Sequence, residues 1–309
     1  MAIVNVEYCG NVIIPSLDIE ITNQHIINAT EFNLNIFKRQ GITFTGTGQN
    51  ISQVDIDFDP SKNAVPDVWR YTIKIDKKRC LSLVKSKVGY RTCHVEACKN
   101  FLNNKNFPQD VDIAKCISNA KCKFYKKYPV ILLLLESPHK NEYTNAFIQI
   151  APAQKSTGKC IESNIISLIE EINKRINPQL PINTNYKLII ANPIPFQTSL
   201  HILKNKDSGF DDNQRKLRDR IWKSLWHQNS LRYNFLNRLN NDYKPDLVIN
   251  ACTENLQPLV SCCIICGTCY PLVETKHPAN HWNKYTKNNK SKFTPAEILK
   301  LRFGIEVIR

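Results

Sequence analysis

Four apolar runs in the second half of the chain share one pattern: each climbs through aliphatic residues and stops at polar ones. Tyr128-Pro-Val-Ile-Leu-Leu-Leu-Leu-Glu-Ser-Pro-His139 is too short to span a membrane and too dense for a strand with one wet face. It predicts a central strand covered on both faces and ended by Pro138, which has no N–H to give to a ladder. Residues 186–193, 245–252 and 269–278 repeat the pattern, and residues 161–176, 213–239 and 254–265 between them are long enough for crossover helices. Alternating strands and helices predict an α/β three-layer sandwich with a four-stranded parallel sheet. The carboxyl ends of such strands converge on one crevice, which would gather Glu136, Asn192, Asn250 and His277.

Residues 1–75 follow a different period. The segments Val12-Ile-Ile, Leu17-Asp-Ile-Glu-Ile, Ile42-Thr-Phe-Thr, Val54-Asp-Ile-Asp-Phe and Trp69-Arg-Tyr-Thr-Ile alternate apolar with polar, as half-exposed antiparallel strands do. The expected organisation is a β-rich N-terminal accessory domain over 1–125 and the α/β domain over 126–309. Within 213–239 the tryptophans Trp222 and Trp226 belong to the core, while Arg215, Lys216, Arg218, Arg220 and Lys223 read as a solvated face, with a break at Asn229-Ser230. Phe293-Thr-Pro-Ala-Glu297, with Thr294 as N-cap and Pro295 at N1, predicts the start of a final helix.

Charge changes the picture. The net charge of +15, from 42 Lys and Arg against 27 Asp and Glu, points to a polyanionic partner, with nucleic acid ahead of a membrane surface. The start carries no secretory signal, so a cytoplasmic location is expected. Neither G-x-x-x-x-G-K nor G-x-G-x-x-G occurs and glycine numbers only 9, so P-loop hydrolysis and dinucleotide redox chemistry have no support. No cofactor is expected. Among the 12 cysteines, Cys93, Cys98, Cys116 and Cys122 could form two thiolate pairs of a zinc or iron–sulfur site, but the spacing is looser than the usual knuckle and free cysteines are the default. The cluster Cys262, Cys263, Cys266 and Cys269 is tighter; its apolar surroundings favour buried thiols over a metal.

The strand ends then resemble a known set. Leu135-Glu-Ser-Pro-His139 is similar to the first motif of the iron–sulfur branch of the uracil-DNA glycosylase superfamily, Gly-Glu-Ala-Pro-Gly. Pro152-Ala-Gln-Lys-Ser-Thr-Gly158 resembles that branch's next motif, Ile190-Ala-Asn-Pro193 its base-recognition stretch, and His277-Pro-Ala279 its closing motif. The resemblance covers residues 126–309. It implies a DNA glycosylase in which Glu136 activates water and His277 stabilises the departing base. It also implies that Ser137, His139, Asn192 and Ala153 surround the base, and that Lys155, Ser156, Asn280, His281, Trp282 and Lys284 contact DNA. Glu142 is a reserve carboxylate. The sequence departs from the family in three ways: Leu135 and His139 replace glycines, Ala153 stands where an aromatic stacks on uracil, and the family's cysteine spacing is absent. Ala153 implies a larger pocket and a bulky modified base, such as glucosylated hydroxymethylcytosine in viral DNA. The rival expectation is a catalytically silent DNA-binding module.

Overall fold

The computed structural model describes residues 129–176, 180–199, 212–227, 229–282 and 299–303, together with 64–75, 81–85 and short segments at 6–8, 12–14, 21–22, 31–40, 42–45, 50–51 and 53–56. These divide into two compact units. Unit 1 takes residues 1–65, 137–149 and 193–235; unit 2 takes 66–136, 150–192 and 236–309.

Unit 2 holds the main sheet. The four apolar runs form β9 (Val130–Leu134), β10 (Thr184–Ala191), β11 (Leu247–Asn250) and β12 (Leu272–Thr275). All are mutually parallel, in the order β10-β9-β11-β12. Every residue of β9, β11 and β12 is buried, which is why β9 reads as an unbroken apolar run and β11 and β12 open apolar without alternating. The sheet nevertheless extends beyond four strands. The strand β7 (Val68–Ile75) pairs antiparallel with β10, β8 (Leu81–Lys85) follows it, and β13 (Leu299–Phe303) pairs antiparallel with β12 at the opposite edge. This corrects the expected count of four strands and the expected place of the strand at 68–75. The strand at 68–75 belongs to the main sheet and not to a separate N-terminal module, because its alternating pattern reports one half-buried face and cannot name a partner over a hundred residues away. Residues 299–303 are strand; residues 293–298, where the start of a final helix was expected, lie outside the described residues.

Helices cover both faces of the sheet. One of them, α2 (Lys155–Arg175), packs Ile161, Ile165, Leu168, Ile169 and Ile172 into a core with Ile131, Leu133, Leu188, Ile190 and Ile249. Strand residues alternate between faces, so Val248, Asn250, Leu272 and Glu274 point to the other side. There α5 (Gln257–Gly267) meets β11 and β12, and Ser261 bonds both Asn250 and Glu274. No helix among the described residues is long and apolar enough to cross a membrane.

Unit 1 contains α1 (Glu31–Arg39), α3 (Asp212–Trp226) and most of α4 (Asn229–Asn237). It also contains the short antiparallel pairs β1 (Val6–Tyr8) with β2 (Val12–Ile14), β4 (Ile42–Thr45) with β6 (Gln53–Ile56), and β3 (Ile21–Thr22) with β5 (Asn50–Ile51). The helix α1 was not expected between strands. Helical structure over 213–237 breaks where Asn229-Ser230 predicts, and Trp222 and Trp226 are buried, stacked at 5.1 Å between centroids. Arg218 departs from the expected solvated face: it is buried, with its Nε donating to Asp219 Oδ1 at 2.9 Å, since a buried guanidinium needs a carboxylate.

Candidate active site

The sheet order puts a topological switch between β9 and β11. From β9 the chain crosses to β10 on one side, then returns to β11 on the other. At such a switch the loops leaving the two strands run apart, which opens the crevice where α/β sheets bind ligands. Two residues past the end of β9 stands Glu136, 6% exposed. Three residues past β11, the hydroxyl of Thr253 donates to Glu136 Oε2. This carboxylate is therefore fixed by a hydroxyl from the facing side of the switch. Thr253 carried no sequence signal, being one small polar residue after an apolar run.

Between them lies Cys252, buried, whose thiol donates to the Leu135 carbonyl. Burial pushes this thiol well above its ordinary pKa, and the nearby charges of Glu136 and then Glu274 push the same way. It is a neutral packing group rather than a nucleophile.

Asn192 follows β10 and is fully buried. Its backbone is gripped from both sides: its N–H donates to Asp67 Oδ1 at 3.3 Å, and Arg238 Nη2 donates to its carbonyl at 3.1 Å. Arg238 Nη1 and the Tyr243 hydroxyl also donate to Asp67 Oδ2. Arg238 and Tyr243 bracket a π-helical segment (Arg238–Tyr243), and their separation of five residues brings both to the same carboxylate. For Arg238, burial works against the charged form, but Asp67 and Tyr243 outweigh it and hold the guanidinium charged. None of these three residues was legible as part of a site.

His277 lies two residues past β12, partly exposed, and caps the short helix α6 (Pro278–His281) by accepting the Ala279 N–H on Nδ1 at 3.3 Å. With Nδ1 an acceptor, the neutral ring carries its proton on Nε2. Asn250, expected to line the crevice, is fully buried and braces the fold: Nδ2 donates to Gln257 O and Ser261 Oγ, and Oδ1 accepts the Cys252 N–H.

Other expected site residues fall elsewhere. Ala153 is fully buried in the core of unit 2, with a left-handed φ of 59°. Arg70 Nη1 holds its loop by donating to Pro152 O at 2.7 Å. Trp282, expected on DNA, is fully buried; its Nε1 donates to Lys276 O at 2.9 Å and its carbonyl accepts from Asn164 Nδ2 at 3.2 Å. An indole with its N–H already satisfied inside a core is a packing group. Lys155 and Ser156 open α2, which has no acidic residue in its first turn and no side-chain cap; Asn280 and His281 lie on α6. Lys284, and Cys93, Cys98, Cys116 and Cys122, lie outside the described residues.

In unit 1, Ser137 and Thr198 share a hydrogen bond of 2.8 Å, and His139 Nδ1 accepts the Asn141 N–H at 3.3 Å. Glu142 is buried beside Tyr143, whose hydroxyl is pushed well above its ordinary pKa by burial and then by that carboxylate. Phe147 packs on Phe32, with centroids 4.9 Å apart.

The cysteine cluster departs from the expected packing. Only Cys263 is buried; Cys262 is partly exposed, and Cys266 and Cys269 are exposed. On α5 the apolar face is taken by Val260, Cys263 and Ile264, which leaves positions 262 and 266 turned outward. No protein-family model matches this chain, and no curated protein or solved structure gives a significant match.

Proposed function

We propose that the protein is a monofunctional DNA glycosylase that removes a damaged or modified base and leaves an abasic site, in repair or in antiphage defence. The observation that carries this reading is the carboxylate of Glu136 at the switch between β9 and β11, oriented by Thr253. Breaking an N-glycosidic bond builds positive charge on the sugar and negative charge on the departing base. Glu136 orients the attacking water and stabilises the cationic sugar. The Nε2–H of His277 donates to the base as it becomes anionic. Asn192, held by Asp67 and Arg238, reads the base edge once the nucleotide leaves the stack. The +15 charge supports binding to the phosphate backbone.

A second reading, a catalytically silent nucleic-acid-binding module, is favoured by one observation: Asn192 is fully buried. Mass spectrometry of bases released from a panel of DNAs decides between the two readings. The panel contains uracil, hydroxymethylcytosine and glucosylated hydroxymethylcytosine, and compares wild type with Glu136→Gln. Release that needs Glu136 supports the glycosylase and names its base. Salt-sensitive binding without release from any DNA supports the silent module.

A further inference from the structure

The outward-facing thiols of α5 are used by neither the fold nor the proposed reaction. Cys262 and Cys266 stand one helical turn apart, with their sulfurs 4.0 Å from each other. Two thiolates bound to one zinc ion at about 2.3 Å, with a tetrahedral angle between them, lie about 3.8 Å apart. The pair is thus already spaced as two corners of such a site, and metal entry requires only small side-chain rotations. A disulfide, by contrast, needs the sulfurs at about 2.05 Å, half the present separation, across one turn of a rigid helix.

The surroundings agree. Cys266 sits in the last turn of α5, where the helix carbonyls favour a cation, and that turn carries no Lys or Arg to take the role. Both sulfurs can be reached from solvent, whereas Cys160, Cys252 and Cys263 are buried. Cys269 is also exposed and stands at C-x2-C spacing from Cys266. Among the described residues no three metal-binding side chains already surround one point. The preformed part is therefore the pair.

We propose that Cys262 and Cys266 form a binding site for a thiophilic divalent metal ion, zinc by preference, with Cys269 as the third donor drawn in by the ion. Each of the three cysteines binds the ion as a thiolate and gives up its thiol proton to solvent. This inference is independent of the glycosylase reading.

The test uses the full reduced chain. Zinc is added, cysteines are alkylated, and modification is followed by peptide mass spectrometry. Zinc is expected to slow alkylation of both Cys262 and Cys266 by about tenfold or more. In parallel, cadmium is titrated into wild type, Cys262→Ser/Cys266→Ser and Cys269→Ser, reading the thiolate-to-cadmium charge-transfer band. The double variant is expected to bind one equivalent fewer than wild type, and Cys269→Ser to bind that equivalent more weakly. Unchanged alkylation of both cysteines with and without zinc, or equal stoichiometry in wild type and double variant, overturns the proposal. The alkylation arm needs no variant to fold.

Discussion

At the residue scale, the proposed chemistry rests on two side chains, each oriented by a hydrogen bond. Thr253 orients the carboxylate of Glu136, and the Ala279 N–H fixes which nitrogen of His277 donates. A hydrogen bond to a charged group contributes about 1.5–3 kcal/mol, so Thr253→Val is expected to lower single-turnover base release by about 10–100-fold with DNA affinity unchanged. Equal loss of binding and rate would mean that Thr253 serves the fold alone. A third residue, His227, sets a pH limit in unit 1. Its Nδ1 is buried without a hydrogen-bond partner among the described residues, and burial first, then Arg232 and Lys223, lowers its pKa below 6.5. The unfolded chain therefore binds this proton more readily than the folded one. Stability is full above pH 6.5 and falls as pH drops below that value toward the folded pKa. Denaturant unfolding of His227→Gln should show that part of the acid sensitivity removed. An identical pH profile for variant and wild type would show that His227 does not set it.

Within elements, the first turns of α2 pack closely against the preceding loop. A Cβ added to Gly158 would stand 2.2 Å from the Ala153 carbonyl and 3.0 Å from Arg70 Nη2. Backbone cannot yield as a flexible side chain can, so Gly158→Ala is expected to cost about 1–3 kcal/mol in urea unfolding despite alanine's better helix propensity. No loss of stability would mean that the loop at 150–154 shifts freely. The π-helical segment is the second such device. Asp67 is the shared acceptor of Arg238, Tyr243 and the Asn192 backbone, so Asp67→Ala removes the carboxylate facing a buried guanidinium and is expected to cost about 3–5 kcal/mol, with Asp67→Asn milder.

How much of this the sequence announces follows from the range of each signal. Burial on both faces writes itself locally as an apolar run, so β9 to β12 are legible, as are the tryptophans of α3 from their spacing. Asp67 looks unremarkable because its partner Arg238 is 171 residues away. Trp282 misleads for a related reason. Its basic neighbours suggest a nucleic-acid contact, while its burial depends on Asn164 and Lys276, which no local pattern reports. The same holds for Asn250, whose place at a strand end hid its use as a brace.

At the scale of the whole molecule, the parallel strands, their switch point and the basic charge support the proposed function together: a buried carboxylate beside a sheet switch point in a strongly basic chain. The electrostatic part has its own check. DNA affinity should fall steeply and linearly in log–log form as salt rises, and salt-independent binding would count against phosphate contacts. Under the proposed function, Glu136 drives base excision. The most direct measurement is single-turnover formation of alkali-labile abasic sites in DNA carrying the released base, comparing wild type with Glu136→Gln at saturating enzyme. Wild type is expected to form abasic sites and the variant to form them about 10²–10⁴-fold more slowly, with DNA binding retained. Equal rates for the two proteins would contradict this role for Glu136.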